Sequence, residues 1–223
     1  MSLPILLFAA GLGTRMAPLT ADRPKPLIKV GETTLLDHAL DIATGADCGP
    51  IVVNTHYLGG MIRDHVKGRD VVISDEADLL RETGGGLRHA LPHLGTGPVA
   101  TMNTDAVWRG PNPVAQLQRH WRADMTALLL VVTKPNVVGH RGKGDFDLTA
   151  SGQLQRGRDL IYTGVQIIRP EALAGIDTDV FSMNVVWDKI AAQGGLFGAV
   201  YNGQWCDVGQ PESIALAEAM RDV

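Results

Sequence analysis

Cysteine, aromatic residues and net charge are all scarce in this chain of 223 residues. The two cysteines, Cys48 and Cys206, are too few and too far apart for a disulfide framework or a cysteine zinc site, which favours a reducing, cytoplasmic compartment. The net charge is −4 and no basic cluster occurs, which argues against nucleic acid as the main partner. No run reaches the roughly 18 apolar residues of a membrane span, so we expect no membrane partner.

The apolar segment Leu3–Ala10 has the small residues that end a signal peptide. No Lys or Arg precedes it, and it is at the short limit for the apolar part of such a peptide. A buried first strand therefore explains the segment better.

The rest of the chain alternates apolar strands with segments of helical period, which predicts a doubly wound, mostly parallel, Rossmann-like α/β sheet. The length suits one domain, residues 1–223. After residue 133 the alternation of strands and helices is interrupted. A turn between Asp145–Thr149 and Gln153–Arg156 predicts a hairpin there. Residues 134–207 are therefore expected to form a lobe on the same sheet. The other strands are predicted at Leu3–Phe8, Ile51–Asn54, Val71–Ser74, Val99–Met102, Ala127–Thr133, Ile161–Ile168 and Leu196–Tyr201, and helices at Thr34–Ala43, Leu58–Val66, from Gly86, Val114–Trp121, Asn184–Ala192 and Pro211–Met220.

A glycine-rich loop, Gly11-Leu12-Gly13-Thr14-Arg15, follows the first predicted strand, and Lys25 comes ten residues later between two prolines. Glycines let backbone N–H groups close on an anion, and two fixed cations can neutralise phosphate charge. The Walker A pattern G-x-x-x-x-G-K-[ST] does not occur. The Rossmann fingerprint G-x-G-x-x-G does not fit either, because the residue three after Gly13 is Met16 and not glycine. The alternative is that the glycines merely turn the chain and the two cations are solvated.

This pattern resembles the G-x-G-T-R-x(n)-K-P signature of the sugar-phosphate nucleotidyltransferases, which join a nucleoside triphosphate to a sugar 1-phosphate. The resemblance implies that Arg15 and Lys25 are catalytic, the first holding the β- and γ-phosphates through its planar fork. It divides the chain into a nucleotide half, about 1–133, and a sugar-side half with a small sugar-binding lobe, about 134–223. The nucleotide-binding residues that it implies in this first segment are Ala10, Gly11, Gly13, Thr14, Arg15 and Lys25.

Two aspartates, Asp105 and Asp207, match the metal ligands of that family in its N-x-D and D-V-G segments. The resemblance therefore implies Mg²⁺, which prefers hard oxygen ligands and can bridge two phosphate anions. The alternative is a turn residue at the end of a strand for Asp105 and a helix cap for Asp207.

The segment Glu82-Thr83-Gly84-Gly85-Gly86 resembles the base-reading loop of the family, in the form found in small bacterial uridylyltransferases that act on N-acetylmuramate 1-phosphate. By itself it could be a flexible loop before a helix. In context, Glu82, Thr83, Gly84 and Gly85 are expected to bind the nucleotide. The Gly-Lys-Gly-Asp-Phe segment beginning at Gly142 and the closing Trp-x-Asp-Val-Gly match the same subgroup. On the sugar side the resemblance implies Asn103, Lys143, Gly144, Asp145, Thr163 and Gly164.

Two departures from the wider family bear on the acceptor. No Glu-Lys-Pro segment follows the hairpin, and Thr104 stands where the subgroup usually has glycine. An open sugar side could admit the 3-O-lactyl group of muramate. We therefore expect His140, Arg141 and Lys143 to face its carboxylate, unless they form a solvated basic turn.

The expected reaction is Mg²⁺-dependent nucleotidyl transfer from UTP to N-acetylmuramate 1-phosphate with release of pyrophosphate. Within the class, the alternatives are a guanylyltransferase for mannose or heptose 1-phosphate and a cytidylyltransferase for phosphocholine. Outside it, the alternative is a nucleotide-sugar sensor without turnover. The partners are thus a nucleoside triphosphate and a sugar 1-phosphate, and the sequence leaves the oligomeric state open.

Overall fold

A nine-stranded sheet carries the fold in the computed structural model, which describes residues 2–140 and 142–221. The helices are α1 (Leu35–Gly45), α2 (Gly59–His65), α3 (Glu82–Leu94), α4 (Pro113–His120), α5 (Met183–Ala192) and α6 (Glu212–Arg221). The strands are β1 (Ile5–Phe8), β2 (Lys29–Val30), β3 (Thr33–Thr34), β4 (Ile51–Thr55), β5 (Val72–Asp75), β6 (Val99–Asn103), β7 (Ala106–Arg109), β8 (Ala127–Thr133), β9 (Val137–Val138), β10 (Phe146–Leu148), β11 (Leu154–Arg156), β12 (Leu160–Ile168), β13 (Leu196–Val200) and β14 (Gln204–Asp207).

The sheet is mixed. Its order β6-β1-β4-β5 is parallel throughout, and β13 also pairs in parallel with β8. The antiparallel strand β12 joins these two parts by pairing with β6 on one side and β8 on the other. The predicted α/β class is confirmed. The long apolar run of β8 predicts a strand at the centre of the sheet, and this prediction is wrong, because β13 alone separates β8 from the sheet edge.

Helices cover both faces, as a doubly wound fold requires. Alternate residues of β1 point to opposite cores: Ile5 and Leu7 lie in a cluster with residues of α1 and α4, and Leu6 lies in a cluster with residues of α3 and α5. All three side chains are fully buried. The alternation follows from the period of two of a strand, and its uniformly apolar sequence follows from burial on both faces.

The hairpin β10–β11 is placed by the length of β12. The last four residues of β12 pair with β6, whereas Leu160 at its start pairs with Phe146 of β10. Since β12 runs antiparallel to β6, its first residues extend past the carboxyl end of β6. The hairpin therefore forms a wall beyond the carboxyl edge of the parallel strands, where ligands bind in open α/β sheets.

A local capping motif begins α1. The hydroxyl of Thr34 accepts the backbone N–H of Asp37, three residues on, and donates to its carboxylate. Burial raises the pKa of Asp37, but hydrogen bonds from Thr34, His65 and Arg69 outweigh burial and lower this pKa from 3.8 to about 2. The Asp37 carboxylate is thus charged and links α1 to α2 and to the turn that follows α2.

One helix start differs from the prediction. Helix α3 begins at Glu82 and not after the glycine triplet, so Gly84 to Gly86 are the third to fifth residues of the helix. Within residues 2–140 and 142–221, none of the helices has both the length and the apolar character needed to cross a membrane.

Candidate active site

Two adjoining clefts open at the carboxyl edge of β1 and β6. They meet at four residues that line both: Phe8, Thr83, Asn103 and Asp105. We call them the first and second clefts. The first is lined in addition by Ala9, Ala10, Gly11, Lys25, Pro26, Asn54, Glu76, Leu80, Glu82 and Thr104. The second is lined in addition by Arg15, His140, Asp145, Phe146, Arg156, Tyr162, Gly164, Gln166, Ser182, Met183, Asn184, Trp187, Trp205 and Asp207.

The two predicted metal aspartates are brought close together, with Asp105 lining both clefts and Asp207 lining the second. Strand β14 pairs antiparallel with β7, and the register sets Asp207 opposite Ala106, the residue after Asp105. The N–H of Val208 donates to the carbonyl of Asp105 at 2.9 Å, which fixes the two strand ends together. A small three-stranded sheet, β7-β14-β9, thus brings together carboxylates about a hundred residues apart in sequence.

Each carboxylate has a cationic or titratable partner. Lys25 Nζ lies 2.7 Å from Asp105 Oδ2, with 12% of the lysine side chain exposed. His140 Nδ1 lies 3.2 Å from Asp207 Oδ2. Arg15 is nearby, since a Cβ added to Gly209 would lie 3.3 Å from Arg15 Nη1 and 3.0 Å from Asp207 Oδ1. Each carboxylate thus lies beside a basic side chain, which suits the binding of phosphates and a divalent cation together.

The donor set at the junction fits Mg²⁺ but not a site made wholly by protein. Within residues 2–140 and 142–221, no group of three or more His, Cys, Asp or Glu side chains could hold a metal. Mg²⁺ keeps several waters and is usually held by one or two carboxylates together with substrate phosphates. Asp105 and Asp207 supply that number, so the metal role stays a prediction with a suitable geometry.

A chain of buried hydrogen bonds, here called the relay, lies behind the lining of the first cleft. The N–H of Ala9 donates to Asn54 Oδ1 at 2.7 Å, and Asn54 Nδ2 donates to Glu76 Oε1 at 2.7 Å. The other carboxylate oxygen of Glu76 accepts the N–H of Arg81 at 3.2 Å. Asn54 and Glu76 are almost fully buried. The relay ties the end of β1 to the residue before α3, so it holds both walls of the cleft at a fixed separation.

The sequence analysis did not find this relay. Asn54 ends the predicted second strand and Glu76 follows the predicted third strand, and that position was the available signal. Polar residues at the carboxyl ends of strands are candidates for a site by the topology of the fold.

The glycine triplet has a packing role in the structure. A Cβ on Gly84 would lie 2.4 Å from the ring of Phe181, and one on Gly85 would lie 2.1 Å from the carbonyl oxygen of Asp179. The N–H groups of Gly84 and Gly85 both donate to the carbonyl of Phe181, at 2.9 and 3.1 Å. The alternative of a flexible loop is thus wrong, because these amides already have an acceptor. Neither glycine lines a cleft, and nucleotide binding by the two stays a prediction.

Glu82 and Thr83, just before the triplet, do line the first cleft. Glu82 has a φ of 57°, a left-handed conformation that is uncommon outside glycine. Such strained positions persist where the surrounding structure determines them, and they cluster at functional sites. Ala10, Gly11 and Lys25 line the same cleft, so the structure gathers these five predicted nucleotide residues around one space.

Other predicted residues of the first loop are near the clefts but do not line them. Thr14 is exposed at the start of a short 3₁₀ helix. Gly13 has a φ of 66°, and its carbonyl accepts the hydroxyl of Thr20 at 3.0 Å. Gly13 therefore closes the loop, and a direct role for either residue stays a prediction.

On the sugar side, three of the six predicted residues line the second cleft. Asp145 accepts the N–H of Tyr162 at 2.9 Å, which leaves its second oxygen without a described partner. Gly164 has a φ of 87° at a bulge in β12, and a Cβ there would lie 2.9 Å from Asn103. Only glycine permits this close approach of the bulge to Asn103.

The other three predicted sugar-side residues do not line the cleft. Thr163 is buried, and its hydroxyl donates to the carbonyl of Leu130 at 2.8 Å, which is a structural bond. Lys143 is exposed, and a Cβ on Gly144 would lie 2.2 Å from the carbonyl oxygen of Arg158, so this glycine serves chain packing. Arg141 lies outside the described residues.

Thr104, the departure from the usual glycine, has an evident structural role. Its hydroxyl donates to the carbonyl of Phe8 at 2.8 Å and its side chain is buried. The bond joins the ends of β1 and β6 beneath the aspartate. Thr104 thus adds a hydrogen bond at the edge that carries Asp105.

An aromatic wall closes the second cleft on the side of the hairpin. The ring of Trp187 meets Phe146 and Tyr162 edge to face, with centroid distances of 6.0 and 4.7 Å. Its indole N–H donates to Gln166 Oε1 at 2.8 Å. Arg156 lies over Phe146 at 4.9 Å. The sequence analysis proposed neither Arg156 nor Tyr162 as a site residue, because their position in the cleft depends on long-range pairing of β12.

Comparisons with known proteins show the family and the fold of the chain. The family model described as the MobA-like NTP transferase domain matches residues 5–161. The N-acetylmuramate alpha-1-phosphate uridylyltransferase of Caulobacter vibrioides is 38% identical, with 96% of this chain and 95% of the relative covered. A protein of the same name from Neisseria meningitidis is 31% identical, with 96% of each chain covered. The structure of apo UDP-glucose pyrophosphorylase superposes with a TM-score of 0.79 at 15% identity, covering 99% of this chain and 98% of that one, a likeness of fold alone.

Proposed function

The chain belongs to the MobA-like NTP transferase family and is a nucleotidyltransferase, and on that premise we propose that it transfers a uridylyl group from UTP to N-acetylmuramate 1-phosphate. The observation that carries the proposal is the pair Asp105 and Asp207 at the junction of two clefts. One cleft then takes the nucleotide and the other the sugar. The choice of UTP and of the acceptor rests on the names of the two relatives above 30% identity.

The reaction joins two anions that repel each other. An oxygen of the sugar phosphate attacks the α-phosphorus of UTP, and pyrophosphate leaves with the electron pair of the broken P–O bond. Catalysis of such a transfer is positioning and charge neutralisation, with no group of the protein covalently attached. Two adjoining clefts that meet at Asp105 suit an in-line approach.

The residues of the chain have separable roles. Lys25 is a compact charge at the junction, suited to the α-phosphate, and Arg15 offers a planar fork for the remaining phosphates. Asp105 and Asp207 would hold Mg²⁺, which neutralises both phosphates when bound. The hydrogen bonds of Asn54 and Glu76 fix the position of the loop at Ala9 relative to the start of α3. The nucleotide can therefore bind without a rearrangement of the cleft walls.

The test is a matrix of substrates. UTP, GTP and CTP are each incubated with N-acetylmuramate 1-phosphate, N-acetylglucosamine 1-phosphate, mannose 1-phosphate and phosphocholine, and pyrophosphate is counted. The proposal predicts the highest kcat/KM for UTP with N-acetylmuramate 1-phosphate. A preference for GTP with mannose 1-phosphate, or for CTP with phosphocholine, would overturn UTP and N-acetylmuramate 1-phosphate as the substrates and leave the reaction class unchanged. No release above background in any pair would favour a sensor.

A further inference from the structure

The second cleft has two chemically different sides. One side carries Asp105, Asp207, Arg15 and His140, where the proposed function places the phosphates of the nucleotide and of the sugar. The other is built from the hairpin β10–β11 and the start of α5, and its lining is aromatic or uncharged except for Arg156 and for Asp145, the residue before β10. Among the described lining residues, Arg156 is thus the one cation on the side away from the phosphate junction.

The guanidinium of Arg156 is held on three sides. Its carbon lies 4.9 Å from the centroid of Phe146 and 6.0 Å from that of Trp187. Nε donates to Asp188 Oδ1 at 2.8 Å, and Nη2 donates to Asn184 Oδ1 at 2.9 Å. Of the acceptors in the described part of the chain, none bonds Nη1, and 44% of the side chain is exposed. The group is positioned, stacked, and open along one edge.

An arginine of this kind suits a carboxylate. A stacked guanidinium is already oriented, and its free edge can donate to a planar oxyanion without much loss of side-chain freedom. A lysine on a mobile stem lacks this preorganisation. Lys143, which the sequence analysis expected to face the lactyl carboxylate, is exposed and does not line the cleft.

We infer that Arg156 recognises an acidic substituent of the acceptor sugar, the carboxylate of a 3-O-lactyl group, and so sets the preference for the acidic over the neutral sugar. The inference rests on the proposed function, because it needs the second cleft to hold the sugar. Within that function it assigns the choice between acceptors to one residue of the hairpin.

The test compares the two sugars in each variant. Arg156→Gln should lower the ratio of kcat/KM for N-acetylmuramate 1-phosphate to that for N-acetylglucosamine 1-phosphate by about tenfold to a hundredfold, the loss expected for one charged contact. Arg156→Lys should restore part of the ratio, since it keeps the charge but not the fork. The ratio is the readout, because an effect on folding or on the phosphate junction would change both sugars equally.

Two further variants separate recognition from structure. Arg122 has two comparable contacts outside both clefts: it lies 5.1 Å over Phe197 and pairs with Asp124. Arg122→Gln should therefore leave the ratio unchanged. Asp188→Ala removes the ion pair of Arg156 but keeps its charge, so it should maintain or raise the ratio. A purely structural ion pair would instead make Asp188→Ala behave like Arg156→Gln.

The outcomes are distinct. A wild-type ratio well above one that Arg156→Gln collapses supports the inference. The same wild-type ratio with no change in Arg156→Gln overturns the inference and leaves the proposed function standing. A wild-type preference for the neutral sugar overturns the acceptor of the proposed function and this inference with it.

Discussion

Replacing Asp207 by Asn should separate catalysis from folding. The substitution keeps the shape of the side chain and removes one negative charge at the junction of the clefts. The backbone of Asp207 stays in the ladder with β7, and its neighbours Cys206 and Val208 are fully buried, so the strand is held without the carboxylate. The local cost is one hydrogen bond to His140, about 1 kcal/mol of unfolding free energy.

The catalytic cost should be larger. Removing one preorganised charge-stabilising group typically lowers kcat by about 10² to 10³, equivalent to roughly 2.7–4 kcal/mol of transition-state stabilisation. Pyrophosphate release at saturating UTP and acceptor, measured over a series of Mg²⁺ concentrations, gives kcat, and urea unfolding gives stability. Asp124→Asn is the control, since Asp124 is also ion-paired but lies outside both clefts. A kcat within threefold of wild type at saturating Mg²⁺ would remove Asp207 from the site.

Three other changes follow from particular contacts. Lys25→Ala should lower kcat more than it raises KM, because charge builds during transfer, and Lys25→Arg should not rescue it fully, since a fork replaces a point charge; steady-state kinetics that show only a raised KM would limit Lys25 to binding. Gly84→Ala should destabilise the fold by about 1–3 kcal/mol, because its Cβ would lie 2.4 Å from Phe181, whereas Gly97→Ala has open space and should be nearly neutral in urea unfolding. Because the pKa of Asp37 is lowered to about 2 in the folded state, the stabilisation that it provides is complete above about pH 4 and is lost as pH falls towards 2. Between pH 4 and pH 2 the melting temperature of Asp37→Asn should therefore fall less steeply than that of the wild type. Equal slopes for the two proteins in this range would contradict the role of Asp37.

Much of the site could be predicted because local patterns place it. The strand period located β1 and β6, and the edge rule for parallel sheets then set Gly11 and Asp105 on the same side. Polar and glycine residues immediately after apolar runs are visible without any knowledge of tertiary structure. The pairing of Asp105 with Asp207 was expected from family resemblance, and the register of β7 with β14 supplies its physical cause.

What the sequence could not show depends on distant pairing. The glycine triplet has the composition of a flexible loop, yet it is a packing surface because Phe181, nearly a hundred residues later, lies against it. Arg156 follows a turn on an unremarkable hairpin, and only the extension of β12 past β6 brings it to the cleft. Glu76 is a charged residue whose burial no local pattern indicates.

Labelled substrate tests the central claim most directly. UTP carrying a label on its α-phosphorus is incubated with N-acetylmuramate 1-phosphate, Mg²⁺ and the protein, and products are separated. The account predicts that the label enters the nucleotide sugar in one-to-one ratio with the pyrophosphate released, and that Asp207→Asn slows both together by about 10² to 10³. Label recovered as UMP, or retained in UTP while the wild-type protein is folded and saturated, would contradict nucleotidyl transfer at the junction of the two clefts.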